Sequence, residues 1–216
     1  MIKIVTVERE YGCGGSEIAQ RLAERLGWKL WDQQLTEEIA QLAHCPQAVV
    51  EQREERTDPL YYRLFKSFLR GSYEGSLNAP KLNLVDSENI LKITQRVVLH
   101  AASKGDCVIV GRGSQLFLKG RPDTFRMFLY APREDKVRRL LSRGKSEREA
   151  QELVDTVDRE RAGFLEKYFH VVWPDRAVYH VMINTAAGDE TVVQSIVNFM
   201  KSFDSKFNDA RTNPPA

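Results

Sequence analysis

The chain has 216 residues, 42% of them hydrophobic and 29% charged. That length and apolar content fit one domain with a sizeable core and exclude global disorder. Lys and Arg number 32 against 30 Asp and Glu, a net charge of +2, which argues against a dedicated binder of nucleic acid polymers.

The N-terminal run Ile2–Val7 is rich in Val and Ile and predicts a buried strand, ended by the charges after Val7. It has no signal-peptide core, and no apolar run in the chain reaches membrane-spanning length. No membrane partner is therefore expected, and the chain is expected to be cytoplasmic. Ser16–Leu26 sets Ile18, Leu22, Ala23 and Leu26 on one helical face, with Gly27 as the stop. Trp28–Trp31 is a weaker strand. Ile90–Ser103 repeats the helical spacing, and Cys107–Val110, Phe125–Tyr130 and Val178–Asn184 read as further buried strands. Lys136–Arg143 and Thr191–Phe203 are again helical. Strands alternating with helices predict a parallel sheet covered on both faces.

Two stretches break the alternation. Residues 45–85 carry a charged run, then aromatics between Tyr61 and Tyr73 that either pack as core or stack a base. Gly144–Tyr168 is a dense helical charge pattern. Both read as excursions able to close over a site. The tail from Asp204 to Ala216 is expected to fray. The cysteines Cys13, Cys45 and Cys107 are too few and scattered for a disulfide framework or zinc site, and the four histidines share no metal-ligand spacing. Cys107 is expected to be a buried thiol.

The strongest chemical signal is Arg9-Glu10-Tyr11-Gly12-Cys13-Gly14-Gly15-Ser16, between the first strand and the first helix. Glycines let backbone amides converge on phosphate oxygens, and a helix N-terminus adds a positive dipole. Against the pattern G-x-x-x-x-G-K-[ST], Gly14 and Ser16 fit, Ser16 standing where a hydroxyl would meet Mg2+. Arg9 holds the first glycine position and Gly15 the lysine position. A positive charge 4 Å from a phosphate oxygen is worth about 4 kcal/mol at an effective dielectric near 20. Losing it uncompensated would slow transfer by on the order of 10³. Arg9 is the nearest cation in sequence to compensate.

Arg112, in Val110-Gly111-Arg112-Gly113, follows a buried strand. It lies either at the ligand-binding carboxyl edge of the sheet or in a solvated turn. The run Asp155-Thr-Val-Asp158-Arg159-Glu160-Arg161, with Arg138, Arg139 and Arg143 upstream, is either a helix laced by i,i+4 pairs or a lid whose arginines reach transferring phosphates. Asp32 either orients the loop's ligands, holds a magnesium-bound water, or caps a helix.

Together, R-E-Y-G-C-G-G-S, Leu26-Gly27-Trp28…Trp31-Asp32, C-V-I-V-G-R-G at 107–113, the run from Tyr130 to Arg139, D-x-x-D-R-x-R and Ile183-Asn184-Thr185 resemble the cytidylate kinase-like family of P-loop nucleoside monophosphate kinases. The resemblance implies a three-layer α/β/α fold with a five-stranded parallel sheet over 1–204, a monophosphate-binding insert at 45–85, a lid at 144–170 and a flexible tail at 205–216. It implies ATP and Mg2+, with nucleotides as substrates. It assigns donor phosphates to Gly12, Cys13, Gly14, Gly15 and Ser16 with Arg138 or Arg139, the acceptor phosphate to Arg112, and lid roles to Asp158 and Arg161. The sequence departs from true cytidylate kinases at Gly15, at Val110 and Gly113 where aspartates flank G-R, and at Val154 where an arginine is expected. Three activities follow as expectations: phosphoryl transfer from ATP to a monophosphate such as CMP or dCMP, a regulator that binds nucleotide with weakened turnover, or a kinase of a non-nucleotide small molecule.

Overall fold

Alternation of buried side chains between two faces along the apolar runs sets the architecture. In β1 (Ile4–Arg9), Ile4 packs into one cluster while Val5 and Val7 pack into another. In β3 (Cys107–Val110), Cys107 and Ile109 take the first side and Val108 and Val110 the second. A sheet buried on both faces needs helices on both faces. The computed structural model describes residues 1–42 and 87–212, and it shows that arrangement. With β2 (Lys29–Trp31), β4 (Thr124–Tyr130) and β5 (Val181–Asn184), the strands form one parallel sheet in the order β2-β3-β1-β4-β5.

The face bearing Val5 and Val7 is covered by α1 (Gly15–Leu26) and α7 (Asp189–Thr212). The other face is covered by α2 (Gln33–Leu42), α3 (Ser87–Ser103) and the C-terminal half of α6 (Glu147–Phe169), through Leu35, Val98 and Phe164. The result is the three-layer α/β/α fold. A short α4 (Ser114–Phe117) follows β3, and α5 (Arg133–Ser142) follows β4. The first half of α6 packs with α5 in a third cluster that takes in Tyr11 of the glycine loop.

Local chemistry fixes the ends. Gly27 stops α1 in the left-handed region at φ 66°, its amide donating to the carbonyls of Ala23 and Glu24. Ser146 accepts from the Glu149 amide at 3.3 Å and starts α6. Where the charges after Val7 predict the end of the first strand, the strand continues through Glu8 and Arg9, paired with Phe128 and Leu129. Both residues are buried because their charges meet each other and neighbouring polar groups. The last strand starts three residues later than its apolar run. Asp175 accepts from the Ala177 amide at 2.9 Å and winds Arg176–Val178 into a 3-10 turn. The final helix is longer than its apolar spacing predicts and carries the first residues of the expected tail to Thr212. The expected insert at 45–85 lies outside the described residues, as do its aromatics. Among the described residues no helix is long and apolar enough to cross a membrane.

Candidate active site

In this strand order, β1 and β3 are neighbours whose onward connections leave in opposite directions. An open parallel sheet has its binding crevice at the carboxyl ends of such a pair. The loop after β1 and the Gly111-Arg112-Gly113 turn after β3 meet there. The Gly111 amide donates to the Val7 carbonyl at 2.9 Å.

The loop turns on Gly12 and Gly14, at φ 79° and 81°. Gly14 then caps α1 and accepts from the Ile18 amide at 3.2 Å. The bare sides of these glycines are packed. The Lys136 Cβ would lie 3.1 Å from a Cβ on Gly12, and a Cβ on Gly14 would overlap the Arg139 guanidinium. At Gly15 a Cβ would sit 2.8 Å from both Cβ and Cγ of Arg9. The space a lysine stem would need is therefore filled by the stem of Arg9. The Tyr11 amide donates to Asp158 at 2.8 Å, and that of Gly15 to the Cys13 sulfur. The Cys13 thiol is buried and pushed up to about 12 by desolvation, so it is an inert filler, as is Cys107, raised to about 11 mainly by the same cause.

Beyond its stem, Arg9 carries its guanidinium across to the β3 turn, where a Cβ on Gly111 would overlap its Nη1. Arg9, Arg112 and Arg161 are all at least nine-tenths buried. Burial, and then the charge of Arg161, work against the Arg9 charge, while Glu8 and Asp32 favour it. Arg112 is lowered to about 9, first by burial, with Asp32 opposing and Arg9 and Arg161 adding to the shift. Arg112 is thus no solvated turn residue. It holds φ 59° between two left-handed glycines and donates to the Thr36 hydroxyl on α2. A non-glycine residue held there costs on the order of 1 kcal/mol, and such strain clusters at functional sites.

The charged helices close the loop from one side. Arg161 donates to the Arg9 carbonyl at 3.0 Å and to Asp158 at 3.2 Å. Lys136 donates to Glu10 at 2.9 Å and lies 3.6 Å from Asp158. Burial raises the Asp158 carboxyl, with Arg161 and the Tyr11 amide opposing. Most of these pairs link different elements, including Arg133 with Asp155 and Arg139 with Asp189. Of the two helix arginines expected at the donor phosphates, Arg139 lies on the loop. Arg138 is 74% exposed and turned to Asp135. Arg159 is exposed on α6 and is not brought to the loop.

Ser16 Oγ and one carboxylate oxygen of Asp32 are buried without a hydrogen-bond partner among the described residues. Mg2+ takes few protein oxygens and completes its shell with water and phosphate oxygens, so a single unpartnered hydroxyl such as Ser16 Oγ at the start of α1 fits it. Among the described residues, no group of three His, Cys, Asp or Glu side chains gathers to hold a metal by itself.

Several site residues escaped sequence reasoning. Glu8 accepts from Gln115 at 3.0 Å and from Arg9, Lys136 ties the loop's Glu10 to Asp158 of α6, and Asp189 holds Arg139 at 2.6 Å. Two adjacent charges at the end of an apolar strand were the available signal for Glu8. The pairs of Lys136 and Asp189 span more than 20 residues and leave no local signature.

The sequence model of the cytidylate kinase-like family matches residues 4–187. No curated protein matches. Among solved structures, an uncharacterized protein from Eubacterium ventriosum is similar at TM-score 0.67 and 21% identity, over 94% of this chain and 99% of that one. A shikimate kinase from Bacteroides thetaiotaomicron is similar at TM-score 0.52 and 14% identity, over 93% and 99%. A shikimate kinase from Acinetobacter baumannii, in complex with shikimate, is similar at TM-score 0.50 and 19% identity, over 94% of each chain. At these identities the likeness is one of fold.

Proposed function

The chain belongs to the cytidylate kinase-like family, and from that premise we propose that it moves the γ-phosphoryl of ATP, with Mg2+, onto a nucleoside monophosphate, CMP or dCMP foremost. Family membership supports phosphoryl transfer in general. The observation that carries the finer reading is the meeting of a strand–glycine loop–helix unit with three buried arginines at the carboxyl ends of β1 and β3. Such transfer needs positioning and charge more than covalent chemistry.

In this reading the loop residues Gly12–Ser16 hold the donor phosphates. Arg139, beside Gly14, and Arg161, on the Arg9 carbonyl, supply the positive charge that a loop lysine would bring. Arg112 serves the acceptor phosphate. Asp158 acts as a positioning residue, tying α6 to the Tyr11 amide and to Arg161. Mg2+, held in part by Ser16, would offset phosphate charge.

A panel of nucleoside monophosphates with ATP and Mg2+ tests this, read as diphosphate product. CDP or dCDP from CMP or dCMP supports it; no diphosphate from any monophosphate, using folded protein, overturns it. A kinase of a hydroxylated small molecule is a second reading. Asp32 favours it, since a buried carboxylate oxygen without a partner among the described residues suits a hydroxyl more than a phosphate acceptor.

A further inference from the structure

Arg9 is 4% exposed, and its Nε and Nη2 are buried without a hydrogen-bond partner among the described residues. Its Nη1 is the nitrogen that turns to Glu8, at 3.4 Å. Nε and Nη2 form one edge of the guanidinium, with two parallel N–H donors. The same edge grips a carboxylate twice elsewhere in this molecule. Arg121 holds Asp123 through Nε and Nη2 at 3.0 and 2.7 Å, and Arg133 holds Asp155 at 3.0 and 2.8 Å.

We propose that the Nε/Nη2 edge of Arg9 is a binding fork for a two-oxygen anionic group, phosphate or carboxylate, carried by the phosphoryl acceptor. The sequence places Arg9 beside the donor loop, but the side chain departs from it. Its stem fills the space over Gly15, and its guanidinium lies against Gly111 at the end of β3. Bare glycines at both points admit it. Arg112 follows Gly111 directly and bears on Arg9 electrostatically, as does Arg161. A bound oxyanion would satisfy both donors of this buried edge, unpartnered among the described residues, and relieve repulsion among these guanidiniums. Glu8 fixes the opposite corner, itself held by Gln115 at 3.0 Å, so the fork is aimed before a ligand arrives.

The assignment of this ligand as the acceptor rests on the phosphotransferase reading; the fork itself does not. The full chain, labelled with 15N, is titrated with inorganic phosphate, malonate, CMP and Mg-ATP while the arginine Nε–H resonances are followed. The Arg9 signal is identified by its loss in Arg9→Lys. A saturable shift of that signal with phosphate, malonate or CMP, at lower concentration than with Mg-ATP, is the expected result. The phosphate and malonate arms show which anion the fork prefers. Arg9→Lys keeps a charge but loses the fork, so affinity for the preferred oxyanion should fall about tenfold or more while that for Mg-ATP stays within about twofold. A signal that no oxyanion moves, or one that Mg-ATP moves first, overturns the proposal. Absence of diphosphate product from every member of the monophosphate panel, alongside a shifting signal, would reject the monophosphate kinase reading and leave the fork standing.

Discussion

Replacing Gly15 with alanine probes the packing that excludes a loop lysine. The new Cβ would lie 2.8 Å from two carbons of Arg9, a residue 4% exposed. One of those carbons is the Cβ, fixed to strand β1, so the side chain cannot swing clear. Glycine to alanine at an unstrained helical position gains about 0.5–1 kcal/mol. Overpacking a filled site costs about 1–3 kcal/mol. The clash dominates, so Gly15→Ala should lose a net of about 1–2 kcal/mol. Arg9→Gly removes both contacting carbons, and in that background Gly15→Ala should become neutral or stabilising. The expected coupling is about 1–3 kcal/mol. Urea unfolding of the wild type, both single variants and the double variant closes the cycle. Additive losses, or a stabilising Gly15→Ala in the wild type, would show that the Arg9 stem does not hold the lysine's place.

Asp158→Ala should cost about 3–5 kcal/mol, because it strands the buried cations Arg161 and Lys136, whereas Asp158→Asn keeps acceptors for Tyr11 and Arg161 and should cost less. Denaturant melts that show both variants losing under about 1 kcal/mol would contradict this. Asp189→Asn keeps an acceptor but removes the charge, loosening Arg139 beside Gly14, and should raise KM for ATP about fivefold, about 1 kcal/mol and so less than one whole charge-assisted bond, with KM for the acceptor little changed. An effect confined to the acceptor would place Arg139 elsewhere in the reaction. His180 accepts from the Arg126 amide through Nδ1 at 3.1 Å, and desolvation, then Arg126, lower its pKa from 6.5 to about 4. The unfolded chain takes up that proton first, so stability falls as pH drops from about 6.5 through about 4. Thermal melts of wild type against His180→Gln across that range should show a steeper fall in the wild type; parallel curves would remove His180 as a source.

The sheet was legible because burial on both faces demands unbroken apolar runs, and the runs at 107–110 and 125–130 leave little else to form. The place of Arg112 just past such a run left two readings open, and its burial decides against the solvated turn. The extension of β1 through Glu8 and Arg9 was not, since charge reads as exposure until its partners are known. Arg138 and Arg139 are adjacent and alike in sequence; the helix rotation that points one at Gly14 and the other at Asp135 follows from packing against α6. The direction taken by the Arg9 side chain depends on bare positions at both Gly15 and Gly111, nearly 100 residues apart in the chain. No window along the sequence contains both.

The most direct measurement is a phosphorus NMR time course on the purified full chain with ATP, Mg2+ and CMP. Arginines working without a loop lysine should give a declining ATP γ signal and growing diphosphate signals from both CDP and ADP, with no change when CMP is left out. An ATP spectrum that stays constant for hours, while calorimetry on the same sample shows the nucleotide bound, would mean that this chain holds nucleotide without transferring its phosphoryl group to CMP.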